Sequence, residues 1–213
     1  MEKNIQTPEQ VESVDIIAKA RENKKSIMMG LIAAAIVIVG AVAWLLIAQS
    51  GSRNADELIA RADAAQTDSI ATVLYKEAAN AGYKSGNRAK AQLGISLYQK
   101  GEYAEALKYL EDCSLDDKIA AAGVYVLTGD CYVNLEQYDK ALKAFAKGVS
   151  VADHNPEIVP FILIKEANVY RAQQKYADEA ECYKTIIDEY PSYVQNLRTD
   201  IKKYYERANA QAK

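Results

Sequence analysis

His154, in "ADHNPE", is the single histidine of this 213-residue chain, and Cys113, Cys131 and Cys182 are its three cysteines. A metal site needs three or four such ligands at set spacing, and these four residues sit in separate segments. No serine nucleophile elbow or Gly-rich phosphate loop occurs, and "GYKSG" at 82–86 reads as a turn between helices. No catalytic residue, metal ligand or cofactor-binding residue is therefore expected, and His154 reads as a loop residue before a helix starting near Pro156. The chemistry that remains is non-covalent recognition. Arg88, Ile95, Tyr98, Asp130, Asn134, Asn168 and Arg171 fall on one outward face of successive helices, as a candidate peptide-binding groove. Asn amides and Arg guanidiniums can hold an extended backbone or its carboxylate. The alternative is an ordinary solvated helix face. Asp130 would repel a carboxylate, so a carboxylate clamp is not expected there.

The elements that must position these residues come from a repeat. "LGISLYQKGEYAEALKYL" from Leu93, "TGDCYVNLEQYDKALKAF" from Thr128 and "EANVYRAQQKYADEAECY" from Glu166 share one layout. A small residue stands second in each: Gly94, Gly129 and Ala167. Nine residues on come Tyr103, Tyr138 and Tyr176; three further on come Ala106, Ala141 and, off pattern, Glu179. Four further again come Leu110, Phe145 and Tyr183. The small residues repeat at intervals of 35 and 38. The layout resembles the tetratricopeptide repeat, a helix–turn–helix unit of about 34 residues. The small residue lets two helices approach, and the later small and large residues face the partner helix. Repeats are expected over about 87–118, 122–155 and 160–191. "NADELIARADAAQ" and "DSIATVLYKEAANAGY" read as a degenerate first pair, and 192–210 as one capping helix with Val194, Leu197, Ile201 and Tyr204 on a stripe. Adjacent repeats would stack the helices carrying Cys113 and Cys131. A disulfide is one reading and two small buried apolar side chains the other, while the odd count argues against a disulfide framework.

Ile27 to Ala48 is a run of 22 residues without a charge. At about 1.5 Å per residue it spans roughly 33 Å, enough for a hydrocarbon core. A removable signal has a shorter apolar region, about 7–15 residues, close to the N-terminus. A permanent anchor over 26–49 is expected, after a tail over 1–25 and before a repeat domain over 50–213. The tail reads as a solvated segment; the alternative is a short juxtamembrane helix with Val11, Val14, Ile16 and Ile17 on a weakly apolar face. Lys19, Arg21, Lys24 and Lys25 precede the span, against Arg53 and Arg61 after it, so the N-terminus is expected in the cytoplasm. The net charge of −3 disfavours nucleic acid, whose phosphates need clustered Lys and Arg. The fold expected is all-α: one transmembrane helix, a tetratricopeptide solenoid and a capping helix.

The order of tail, anchor and repeats, with Gln10-Val11-Glu12 in the tail and Trp44 near the end of the span, resembles the bacterial ancillary SecYEG translocon subunit family. "KSGNRAKAQLGISLYQKGEYAEALKYLEDCS" is also similar to tetratricopeptide proteins of the Bacteroidetes type. The first resemblance implies an inner-membrane protein with a periplasmic repeat domain. Its implied partners are Sec translocon subunits, a membrane-anchored periplasmic chaperone of the peptidyl-prolyl isomerase type and exported chains, with lipid around the anchor. It implies a scaffold and not an enzyme. The same fold would also suit an adaptor in cell-envelope assembly or cell division.

Overall fold

Three short turns define the architecture. Lys100–Glu102, Leu135–Gln137 and Gln173–Lys175 each separate two helices, and the middle residue of each has positive φ: Gly101 at 78°, Glu136 at 57° and Gln174 at 59°. The hydrogen bonds repeat as well. Glu102, Gln137 and Lys175 donate their backbone N–H to the carbonyls of Leu97, Tyr132 and Tyr170 at 2.9, 2.8 and 2.9 Å. A left-handed residue with a bond back across the helix end is how an α-helix stops and reverses within three residues.

The computed structural model describes residues 8–81, 83–196 and 200–213. Its helices are α1 (Pro8–Asp63), α2 (Asp68–Ala79), α3 (Tyr83–Gln99), α4 (Tyr103–Leu110), α5 (Lys118–Asn134), α6 (Tyr138–Ala152), α7 (Ile158–Ala172), α8 (Tyr176–Glu189), α9 (Pro191–Asn196) and α10 (Ile201–Gln211). No strand occurs among the described residues, so the chain is all-helical. Local chemistry starts several of these helices. Asp117 accepts from Ala120 N–H at 2.8 Å to open α5, and Asp200 accepts from Lys203 N–H at 3.2 Å to open α10. Ahead of α7, Asn155 accepts from Glu157 and Ile158, both at 3.0 Å.

The chain divides into two compact units, 1–50 and 51–213. In the first, the described side chains between Met28 and Ile47 are exposed, including Ile36 at 67% and Val37 at 70%. Among the described residues α1 is the one helix long and apolar enough to cross a membrane, by length and composition. The tail residues Gln10, Val11, Glu12, Val14, Ile16 and Ile17 carry side chains outside the described ones.

In the second unit, consecutive helices from α2 to α8 pack on one another, and α3, α5 and α7 also touch in succession. Leu58 and Ile59, near the end of α1, share a core with Tyr75 and Ala78 of α2 and Leu93 of α3. The pairing of α3 with α4, and of α5 with α6, depends on missing side chains. A Cβ on Gly94 would lie well under 3.0 Å from Leu110, and one on Gly129 as close to Phe145. Ala167 of α7 and Tyr183 of α8 share a second core. Tyr103, Tyr138 and Tyr176 are the first residues of α4, α6 and α8, half-buried beside the turns. Ala106, Ala141 and Glu179 are each 0% exposed.

Two expectations need correction, and one open alternative is decided. The segment 82–86 is not a turn, since α3 begins at Tyr83; Gly82 lies outside the described residues. The single capping helix expected over 192–210 is two helices, α9 and α10, because Asp200 caps a new start; Leu197 lies outside the described residues. Cys113, Cys131 and Cys182 are free thiols, with Cys131 and Cys182 buried. Burial pushes the Cys131 and Cys182 thiols up to about 12, so they remain protonated and unreactive at neutral pH.

Candidate partner-binding groove

The seven residues singled out from sequence lie on α3, α5 and α7, and the fold gathers them into three groups. Arg88 and Ile95 of α3 line a cavity of about 460 Å³ between α3 and α5. Gln92 on the same helix, Gly123, Val124 and Leu127 of α5 and Leu110 at the end of α4 share its wall, which is mainly apolar. Arg88 is steadied from the side by Asp56 at 3.5 Å, an exposed pair worth well under 1 kcal/mol at surface dielectric.

The second group is Tyr98, Asp130 and Asn134. The Tyr98 ring packs edge-on to Tyr103, with centroids 5.4 Å apart. Burial raises its hydroxyl above the usual tyrosine value, Asp130 adds to that, and a hydrogen bond with Asn134 opposes it. Asn134 donates its side-chain N–H to the backbone carbonyl of Asp130 at 2.8 Å, so that donor is engaged within its own helix. Asp130 is not a bare charge. Lys165 of α7 reaches both carboxylate oxygens, at 2.9 and 2.8 Å, and the same ammonium lies 5.1 Å from the Phe161 ring centroid.

The third group is Asn168 with Arg171. The Arg171 guanidinium donates to the Asn168 carbonyl oxygen at 3.0 Å, one turn apart on an exposed face. Sequence reasoning missed Gln92, Gly123, Phe161 and Lys165. Helical spacing could have found them: Gln92 is four after Arg88, Gly123 seven before Asp130, and Phe161 and Lys165 seven and three before Asn168. Large apolar side chains stand exposed on the same helices, with Ile95 at 38% on α3, Ile119 at 60% on α5 and Phe161 at 46% on α7.

The arrangement offers an apolar hollow, then a neutralised ion pair, then amide and guanidinium donors. These are the kinds of groups that shape- and hydrogen-bond-based recognition uses. Among the described residues no group of three or more His, Cys, Asp or Glu is placed to hold a metal ion.

No protein-family model matches the chain, and no curated protein matches it. Among solved structures, the crystal structure of MamA, a protein of the tetratricopeptide type, is similar at a TM-score of 0.51 and 17% identity. The match covers 67% of this chain and 87% of that one. At this identity the likeness concerns the fold alone: an all-helical fold of the tetratricopeptide type.

Proposed function

We propose that this chain is a non-enzymatic protein-interaction scaffold, held in the bacterial inner membrane by the apolar part of α1, with its helical repeats in the periplasm. The observation that carries the reading is the mainly apolar hollow of about 460 Å³ between α3 and α5, on a repeat surface that also exposes Ile119 and Phe161. Such a surface is expensive to leave in water and suits a protein partner. The tail motif Gln10-Val11-Glu12 and the order of tail, apolar helix and repeats support partners at the Sec translocon. These are its subunits, a membrane-anchored periplasmic chaperone and emerging chains. Tethering partners in one membrane raises their effective concentration, so weak groove contacts suffice.

A photocrosslinking amino acid at Asn134 or Asn168, compared with one at Lys184 on α8, tests this in native membranes. Sec subunits or a peptidyl-prolyl isomerase-type chaperone should be recovered from the groove positions and not from Lys184. Their absence from the groove positions would remove the translocon assignment. A reporter fused at Lys213 and read by protease access should report the periplasmic side; protection by the cytoplasm would overturn the topology.

A further inference from the structure

Equivalent repeat positions carry opposite charge on α6 and α8. Counted from Tyr103, Tyr138 and Tyr176 at the helix starts, Glu105, Lys108 and Asp112 of the first copy correspond to Lys140, Lys143 and Lys147 of the second and to Asp178, Glu181 and Thr185 of the third. The first copy settles its charges within the chain: Lys108 pairs with Glu105 and Asp112 with Lys90, each at 2.5 Å. Among the described residues Lys140, Lys143, Lys147, Asp178 and Glu181 form no ion pair, and all five are exposed. The three lysines are neighbours at spacings of three and four, where like charges destabilise a helix. They line a hollow of about 270 Å³ between the end of α4, α5 and α6. The Lys140 and Lys147 ammoniums lie over the Tyr132 and Tyr125 rings, 5.3 and 6.0 Å from the centroids. The one carboxylate in that lining, Glu111, accepts the Tyr132 hydroxyl. On α7 and α8 the corresponding place is acidic. Burial first, then the charges of Glu166, Asp178 and Glu181, raise the Cys182 thiol, so three carboxyl groups converge on one side chain. Asp188 continues the stripe one turn further, and Lys184 is the single cation of α8.

We propose that the basic face of α6 and the acidic face of α8 are the two halves of one self-complementary interface, and that its occupant is a second copy of this chain. An acidic partner of another kind would cover α6 and leave α8 bare, whereas a second copy covers both. The lysine stripe is about 10 Å long at 1.5 Å per residue, and the acidic stripe is at least as long, so the charges can meet when α6 lies antiparallel to the α8 of the other copy. A two-fold axis between the two helices makes both contacts at once, and the assembly closes as a dimer. Single exposed ion pairs contribute little. Several acting together, between copies held in one membrane as proposed above, suffice at the raised effective concentration. Tyr125 and Tyr132 lie on the side of α5 away from Gly123 and Leu127, at 3.6 residues per turn, so the dimer leaves the groove on α3, α5 and α7 free.

The test uses the full chain in lipid vesicles at low protein density, with a donor or an acceptor dye on a C-terminal tag. Energy transfer should appear between copies and should fall as salt is raised, since exposed pairs are screened. Reversing α6 with Lys140→Glu, Lys143→Glu and Lys147→Glu should weaken the association by roughly tenfold or more. Reversing α8 with Asp178→Lys, Glu181→Lys and Asp188→Lys should do the same. One reversed chain then has two acidic faces and the other two basic ones, so mixing them should restore transfer, and that recovery also shows that both variants fold. Absence of transfer in the parent chain, unchanged transfer in both reversed chains, or a mixture that stays without transfer overturns the interface. Crosslinks from position 143 to a different protein, with transfer indifferent to the reversals, would give α6 to that protein and overturn the second copy. Crosslinking at Asn134 and Asn168 is read separately, so the groove reading stands or fails on its own.

Discussion

Arg207 on α10 donates to Glu179 on α8 at 2.6 Å, and Glu179 is 0% exposed. The position belongs to the repeat's buried small residue, filled by Ala106 and Ala141 in the other copies. The last repeat therefore buries a carboxylate and uses the C-terminal helix to neutralise it. Arg207 also lies over the Tyr204 ring at 5.1 Å, and Tyr204 stacks on Tyr183, so the ion pair sits in the contact that docks α10.

The two halves of this pair are unequal. Arg207→Ala leaves a buried, unpaired carboxylate and should cost about 3–5 kcal/mol. Glu179→Ala leaves an arginine that is already 37% exposed at its side chain and can turn to solvent, so its cost should be smaller, about 1–2 kcal/mol. The double variant should be more stable than Arg207→Ala alone. Urea unfolding of the three proteins checks the order; a double variant less stable than Arg207→Ala would remove the argument.

This pair also marks where the sequence stops being legible. Gly94 with Leu110 and Gly129 with Phe145 can be read from spacing because a helix pair needs a small residue opposite a large one at a fixed register. Glu179 breaks that register and shows in sequence only as an exception. Its partner is 28 residues away, across the break that Asp200 introduces between α9 and α10. The groove divides in the same way. Arg88, Asn134 and Asn168 stand out as polar residues on helical faces. The cavity is a space between α3 and α5, which no single residue marks in the sequence.

Glu166 on α7 gives the chain a pH-dependent stability. Burial alone raises its carboxyl from 4.5 to about 7, and its charge bears on Tyr170 one turn along α7 and on Cys182 across the α7–α8 contact. The folded state therefore holds a proton that the unfolded chain releases above its ordinary value of 4.5. Stability is fully present below 4.5 and declines as pH rises toward and through about 7, by on the order of 2 kcal/mol after allowing for partial exposure. Urea midpoints should fall across that window in the parent chain. Glu166→Gln should flatten the decline, and an equal slope in the variant would assign it to other groups.

The turns carry strain in two copies. Gly101 takes positive φ without a Cβ, whereas Glu136 and Gln174 adopt it with full side chains. Glu136→Gly and Gln174→Gly should each stabilise the fold by about 0.5–1 kcal/mol, the gain from relieved strain exceeding the added freedom of the unfolded chain. Gly101→Ala should cost about 1 kcal/mol. Thermal melts of the three single variants check the signs, and destabilisation by both glycine variants would show that no strain is held there.

The close approach at Gly129 predicts a size-compensated pair. Gly129→Ala drives a methyl group into the Phe145 ring, which is 0% exposed and has no free side to move to. Overpacking of this kind costs about 1–3 kcal/mol. Phe145→Leu alone leaves a cavity and also destabilises. Combined, the two changes exchange volume across one contact, so the double variant should be more stable than the sum of the single losses. Additive losses in a double-mutant cycle would mean that the α5–α6 approach is set elsewhere.

Lys165 alters what the groove can accept. Its ammonium is held by both oxygens of Asp130, at 2.9 and 2.8 Å, with side-chain exposures of 25% and 20%. A bound carboxylate would have to compete with Asp130 for that ammonium, so the native groove should be indifferent to the terminal charge of a peptide. Asp130→Asn leaves the shape nearly unchanged and frees Lys165. That variant should then prefer peptides ending in a free carboxylate over amidated ones by roughly tenfold, the scale of one charge-assisted hydrogen bond of about 1.5 kcal/mol. Lys165→Met should act in the opposite sense, leaving Asp130 uncompensated beside Tyr98 and Asn134 and favouring amidated peptides. Anisotropy titrations with matched acid and amide peptides measure both preferences. Equal affinities in both variants would place bound chain ends away from α5 and α7.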